Sequence, residues 1–200
     1  MEKASHLREL NQKQLEAVEH INGPLLVLAG AGSGKTRVIT HRIAHIIATG
    51  AARPNNILAV TFTNKAAGEM KSRVIDLLGP QGRWVWISTF HSLCARILRD
   101  HSEAIGFKRS FSIYDEAESL ALIKMIYKDL GIPDSQPSVG AARSRISRAK
   151  DWLIAPEAYA EKAADFLEVN VSKVYDEYQK RLLKNQAMDF DDLLMKTVQL

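Results

Sequence analysis

Apolar residues follow two rhythms along this chain. Between residues 25 and 100 a short apolar run gives way to a helical period three times. LLVL at 25–28 leads through the loop AGAGSGKT into a helix whose apolar face is Val38, Ile39, Ile43, Ile46 and Ile47, with a stop near Gly50. ILAVTF at 57–62 leads into KAAGEMKSRVIDLL, closed by Gly79 and Pro80, and WVWISTF at 84–90 leads into HSLCARILR. Three consecutive strand and helix units predict an α/β layout with right-handed crossovers and a parallel sheet, its ligands at the carboxyl ends of the strands. From about residue 111 the rhythm is purely helical: LALIKMIYKDLGIP, the turn-rich DSQPSVG, and three further helical stretches. This predicts a separate helical subdomain, with Asp115 and Glu116 helping to cap its first helix.

Composition narrows the class without naming a chemistry. Two hundred residues suffice for one core, or one core with an insertion, and 46% apolar against 25% charged residues is the balance of an ordinary globular protein. No apolar run approaches the roughly 20 residues that cross a bilayer, and MEKASHLREL lacks the apolar centre of a secretory signal, so no membrane association and a cytoplasmic address are expected. The single cysteine, Cys94, excludes an internal disulfide and a multi-cysteine zinc site and reads as a small buried apolar residue. The six histidines show no ligand spacing.

Charge is uneven. Residues 1–110 carry 15 Lys and Arg against 8 Asp and Glu, and residues 111–200 carry 12 against 15. The basic part holds the glycine loop, which suits either a surface that meets phosphates or a solvated basic face. Arg143, Arg145, Arg148 and Lys150 offer the same two readings, a solvated helix face being the better.

The loop is the strongest chemical signal. Between an apolar strand and a helix that opens at GKT, backbone N–H groups and a helix N-terminus would surround a phosphate chain. Gly30, Gly32 and Gly34 permit the turn, Lys35 would reach the β and γ phosphates, and Thr36 would offer its hydroxyl to Mg²⁺. The pattern GxxxxGK[ST] is met except at its first position, occupied by Ala29; Ala31 and Ser33 complete the loop.

LNQKQLEAV at 10–18, AGAGSGKTRV at 29–38, VTFTNKAAGEMKSRV at 60–74, STFHSLCARILR at 88–99 and MDFDDLL at 188–194 together resemble the superfamily 1 DNA helicases of the UvrD, Rep and PcrA type, in which alanine at the first loop position is usual. The resemblance spans essentially the whole chain. It implies a RecA-like P-loop NTPase sheet with an inserted all-helical subdomain: residues 1–110 as the first part of the ATP-binding domain, 111–185 as the insertion, and 186–200 as the return to the sheet.

By the same resemblance, Gln14 reads the adenine of ATP and Arg37 lies near the nucleotide. Without it they read as an exposed helix glutamine and a helix-surface arginine. Phe62, Thr63 and Asn64 match one motif that contacts single-stranded DNA, and Thr89, Phe90, His91 and Ser92 match another. Phe62 reads either as a base-stacking ring or as a core phenylalanine with Asn64 as helix N-cap. His91 reads either as a strand contact, a helix cap or a satisfied core histidine.

DEYQ at 176–179 copies the start of the family's acidic magnesium motif, yet Val171, Val174, Tyr175, Tyr178 and Leu182 recur with a helical period, so Asp176 and Glu177 belong on a helix face. The true acidic strand is expected beyond DFDDLL, whose Asp189 opens a helix with no stop signal before Leu200. The chain thus reads as the N-terminal part of a longer motor that translocates 3′ to 5′ on single-stranded DNA, engages single-strand/duplex junctions and serves repair or replication. By itself it would bind ATP weakly and hydrolyse little. A helicase–nuclease of the RecB or AddA kind, and a stand-alone nucleotide or single-strand binding module, are the alternatives.

Overall fold

The computed structural model describes residues 7–133 and 137–200, so the first six residues and part of the turn-rich DSQPSVG stretch lie outside it. The described chain divides into two compact units, 1–90 and 91–200. Among the described residues, no helix is long and apolar enough to cross a membrane.

The first unit opens with α1 (Gln12–Glu19) and α2 (Lys35–Ala48). Asn11 caps α1 through a capping box: its side chain accepts from the Gln14 N–H, and Gln14 Oε1 accepts from the Asn11 N–H. Leu15, Ala17 and Val18 bury against Leu7 and Val38. The parallel pair β1 (Leu58–Thr61) and β2 (Trp86–Thr89) follows, in register Leu58 to Trp86 through Thr61 to Thr89. It is joined by α3 (Asn64–Leu78), whose Met70 and Val74 pack with Ile43, Ala59 and Val85. Gly79 ends α3 at φ +66°, as its position predicts.

The expected first strand does not form. Leu25, Leu26, Val27 and Leu28 are 41, 82, 44 and 88% exposed, an alternation of period two, and no strand pairs with them among the described residues. The residues have the strand period, but a strand is defined by its ladder, and periodicity does not supply the neighbour. Trp84 and Val85 also fall outside β2; a 3₁₀ turn over Gly79–Trp84 carries the chain to it and leaves Trp84 exposed.

The second unit is mixed. α4 (Phe90–Asp100) buries Cys94, Ala95 and Leu98 against Phe107, Phe111, Met188 and Leu193. Cys94 is free and buried, as its lone occurrence suggests. Residues from 111 onward are not purely helical. SIY, β3 (Ser112–Tyr114), pairs in parallel with β4 (Ala187–Asp189), Ile113 opposite Met188. Each strand is three residues long, below the window in which a period of two separates from a helical one. Between them run α5 (Glu116–Leu130), α6 (Val139–Asp151), α7 (Pro156–Lys162) and α8 (Phe166–Lys184), and α9 (Phe190–Gln199) follows β4. Ile123, Ile126, Tyr127, Ala142, Ile146, Val171, Val174, Tyr175 and Tyr178 form one helical core from α5, α6 and α8. Asp115 caps α5 in a box with Glu118. Asp176 and Glu177 lie on α8, paired with Lys180 and Arg181, so DEYQ is helical.

Candidate functional site

The glycine loop has a defined local geometry. Gly32 and Gly34 sit at φ +75° and +84°, the left-handed region that an L side chain enters at a cost, and Gly34 is the N-cap of α2. A second constraint falls on Gly34, since a Cβ there would lie 2.8 Å from Gln14 Nε2. Gln14 is therefore pressed against the loop and donates from Nε2 to the Ser33 carbonyl at 3.1 Å. Ser33 Oγ closes the turn on the Gly30 carbonyl at 2.8 Å. Lys35 folds back so that Nζ donates to the carbonyls of Ala29 at 3.0 Å and Gly30 at 2.7 Å, which places its ammonium over the loop. Thr36 is half-buried beside it, and Arg37 pairs with Glu9. Ala31 is exposed at the rim. Gln14, Ala29 to Thr36 and Arg37 thus gather in one place from α1, the loop and α2.

An aromatic pair marks the carboxyl ends of the strands. Phe62, just past β1, is 88% exposed, which removes the core-phenylalanine reading. The helix cap beside it is Thr63, whose hydroxyl accepts from the Ala66 N–H at 3.1 Å, and Asn64 is the first residue of α3 rather than its cap. Both Phe and Thr are therefore placed by the strand end and the helix start. Phe90, just past β2, is 40% exposed, and its ring lies 5.6 Å from that of Phe62 at a tilt of 43°. Thr89 is buried at the end of β2.

In the second unit His91 packs edge-on against Phe190, ring centres 5.5 Å apart. The pair lies in an open groove of roughly 610 Å³ with Arg96, Arg99, Arg109 and Asp100. Asp100 pairs with Arg109, and Arg99 lies over the Phe111 ring. Phe190 was not singled out by sequence reasoning. The available signal was its place directly after an N-cap aspartate, which forces an aromatic side chain onto the first, half-exposed turn of a helix.

Below that helix start lies the unit's buried charge. Lys150 is not on a solvated face: it is 1% exposed, with Nζ 2.6 Å from Asp189 Oδ2 and 3.0 Å from Asp192 Oδ1. Tyr178 donates to Asp189 Oδ2 at 3.0 Å, Gln179 donates to Asp192 Oδ1 at 2.8 Å, and Asp189 and Asp192 form the capping box of α9. Burial works against the Asp189 charge, but the Lys150 ammonium and the donated hydrogen bonds hold its carboxyl below the ordinary range. For Asp192 burial prevails and its carboxyl is raised. Burial likewise opposes the Lys150 charge, and the two carboxylates more than restore it. Of the remaining basic cluster, Arg143 pairs with Glu116 at 3.0 Å, while Arg145 is half-buried and Arg148 exposed.

A glycine loop leading into a helix is a local geometry that favours a phosphate group, and the neighbouring parallel strand pair carries aromatic rings at its carboxyl ends. The chain belongs to the UvrD/REP helicase family: the profile of that family's N-terminal domain matches residues 10–200. It is 52% identical over 194 residues to the ATP-dependent DNA helicase PcrA of Bacillus subtilis, a match that covers 97% of this chain and 26% of the relative. The PcrA proteins of Staphylococcus epidermidis and Staphylococcus aureus are 46% and 45% identical to it over the same share of the chain. The chain spans about a quarter of the length of these relatives.

Proposed function

We propose that this chain is the ATP-binding first part of a PcrA-like DNA helicase, a RecA-like domain interrupted by a helical insertion. The carrying observation is the convergence of Gln14 and Lys35 on one glycine loop, in a chain of this family. Backbone N–H groups of Gly30 to Thr36 and the N-terminus of α2 cradle the phosphates, and Lys35 leaves its loop carbonyls to meet the β and γ phosphates. Gln14 turns its amide from Ser33 toward the adenine edge, one donor and one acceptor matching the base. Arg37 stands at the mouth of the site.

Among the described residues no group of three His, Cys, Asp or Glu side chains could hold a metal. Two hydroxyls belong to the loop: Ser33 Oγ is engaged with the Gly30 carbonyl, and Thr36 supplies the other. That set fits Mg²⁺ carried chiefly by the triphosphate and its own waters, with Thr36 as one oxygen ligand. The cation would neutralise phosphate charge there.

Phe62, Thr63, Asn64, Thr89 and Phe90 in the first unit, and His91 with the arginine groove in the second, serve single-stranded DNA. Rings take bases and arginines take phosphates. In the longer polypeptide, ATP-driven closure against a second domain would step the pair 3′ to 5′ and open duplex at a junction, in cytoplasmic repair or replication. These 200 residues bind nucleotide with little turnover, because phosphoryl transfer also needs acidic metal ligands, a positioned water and charge neutralisation.

ATP hydrolysis by the polypeptide at the full length of its relatives tests this reading. Stimulation by oligothymidylate is expected; hydrolysis indifferent to DNA would remove the motor. Phe62→Ala is expected to weaken oligothymidylate binding by about 5- to 100-fold, the range for one lost base–aromatic stack. Fluorescence anisotropy measures it, and because the ring is exposed the melting temperature should hardly move.

A further inference from the structure

We propose that Lys150 is a positioning residue for DNA contact: from α6 it fixes the start of α9 and so holds Phe190 in its place against His91. The inference rests on the reading of the arginine groove as a single-strand site.

The start of α9 is held more firmly than helix capping requires. An N-cap aspartate and its box partner satisfy the helix N-terminus by themselves. Here both Asp189 oxygens are used, Oδ1 by the Asp192 N–H at 2.8 Å and Oδ2 by Lys150 and Tyr178. Asp192 is tied in turn to Lys150 and Gln179. Three elements, α6, α8 and the β4–α9 junction, thus converge on two side chains that flank Phe190 and Asp191. Asp189 and Asp192 are 8% and 0% exposed, whereas Phe190 between them is 47% exposed. The ring is therefore an exposed aromatic on a buried base, met at its edge by His91 and tied at its root to the Asp189 cap.

A buried ion pair of this kind is weak evidence for stability, since an apolar replacement of similar volume often does as well; its best-attested use is to select one arrangement among several. What it selects here is the rotation of the α9 start. Without Lys150, Asp189 keeps its cap but loses its anchor to α6, and Phe190 gains freedom to leave the His91 edge.

The test is a double-mutant cycle on the chain, with Lys150→Met, Phe190→Ala and both together, read as affinity for labelled oligothymidylate and accompanied by thermal melts. Phe190→Ala should weaken binding by about 5- to 100-fold, as for a lost stack. Lys150→Met should weaken it several-fold although Lys150 is inaccessible to DNA, and the double variant should bind no worse than Phe190→Ala. Losses that multiply, or unchanged binding by Lys150→Met, overturn the proposal while leaving the groove reading intact. Unchanged binding by Phe190→Ala overturns both. Should Lys150→Met fail to fold, Tyr178→Phe takes its place in the cycle, since it frees one bond on Asp189 Oδ2 and leaves the ammonium; the same non-additivity is required of it.

Discussion

Lys35→Ala is expected to lower ATP affinity by about 10- to 100-fold, the loss of one charge-assisted phosphate contact at roughly 1.5–3 kcal/mol. Among the described residues Lys35 joins no core cluster, and its ammonium donates to the Ala29 and Gly30 carbonyls, which water can serve equally well in an exposed loop. The melting temperature without nucleotide should therefore stay within a degree or two, while the rise on adding ATP should shrink or vanish. Titration with a fluorescent ATP analogue, paired with melts, separates the two quantities. Equal nucleotide affinity in the variant would show that the ammonium does not meet phosphate.

The largest stability effect should come from Asp189→Ala. It removes the N-cap of α9, the Tyr178 hydrogen bond and one of two carboxylates facing a fully buried ammonium. Breaking one side of such a pair costs about 3–5 kcal/mol, because the remaining charge stays desolvated. The cost depends on pH with a definite sign. The folded Asp189 carboxyl lies below its unfolded value, so its contribution is complete above the ordinary carboxylate range, near pH 4, and is lost as pH falls through the folded value. The gap in chemical-denaturation free energy between the parent and Asp189→Ala should be full at pH 7 and narrower at pH 3. A gap that does not change with pH would mean that capping, not charge, carries the effect.

What could be read from the residues follows from the range of the interactions involved. The left-handed Gly34 before α2, the Asp115 and Asp189 caps and the Gly79 stop are local, each decided by residues within a turn of it, and the structure places these helix ends as expected. DEYQ was resolved correctly by the apolar period around it. Features that depend on distant partners were not visible. LLVL has a strand's alternation but no pairing neighbour among the described residues. SIY at 112–114 needed Ala187–Asp189, more than 70 residues away, to be a strand at all. Lys150 looked solvated because its helix is rich in Arg and Lys, and only the fold brings two aspartates beneath it. The core reading of Phe62 is excluded by exposure, a property of the folded surface that the residues around it do not set.

Under the proposed function, the Phe62–Phe90 pair limits how a base can enter. Ring centres 5.6 Å apart and tilted leave no slot for a planar heterocycle, which as the filling of a sandwich needs roughly twice the ~3.5 Å carbon contact distance. The open face is that of Phe62, the more exposed ring. Phe90, tilted beside it, is then a backstop, and a nucleotide arriving at such a site would meet a single wall rather than a clamp. Each base is held by one side only, so it can be let go without prising two rings apart.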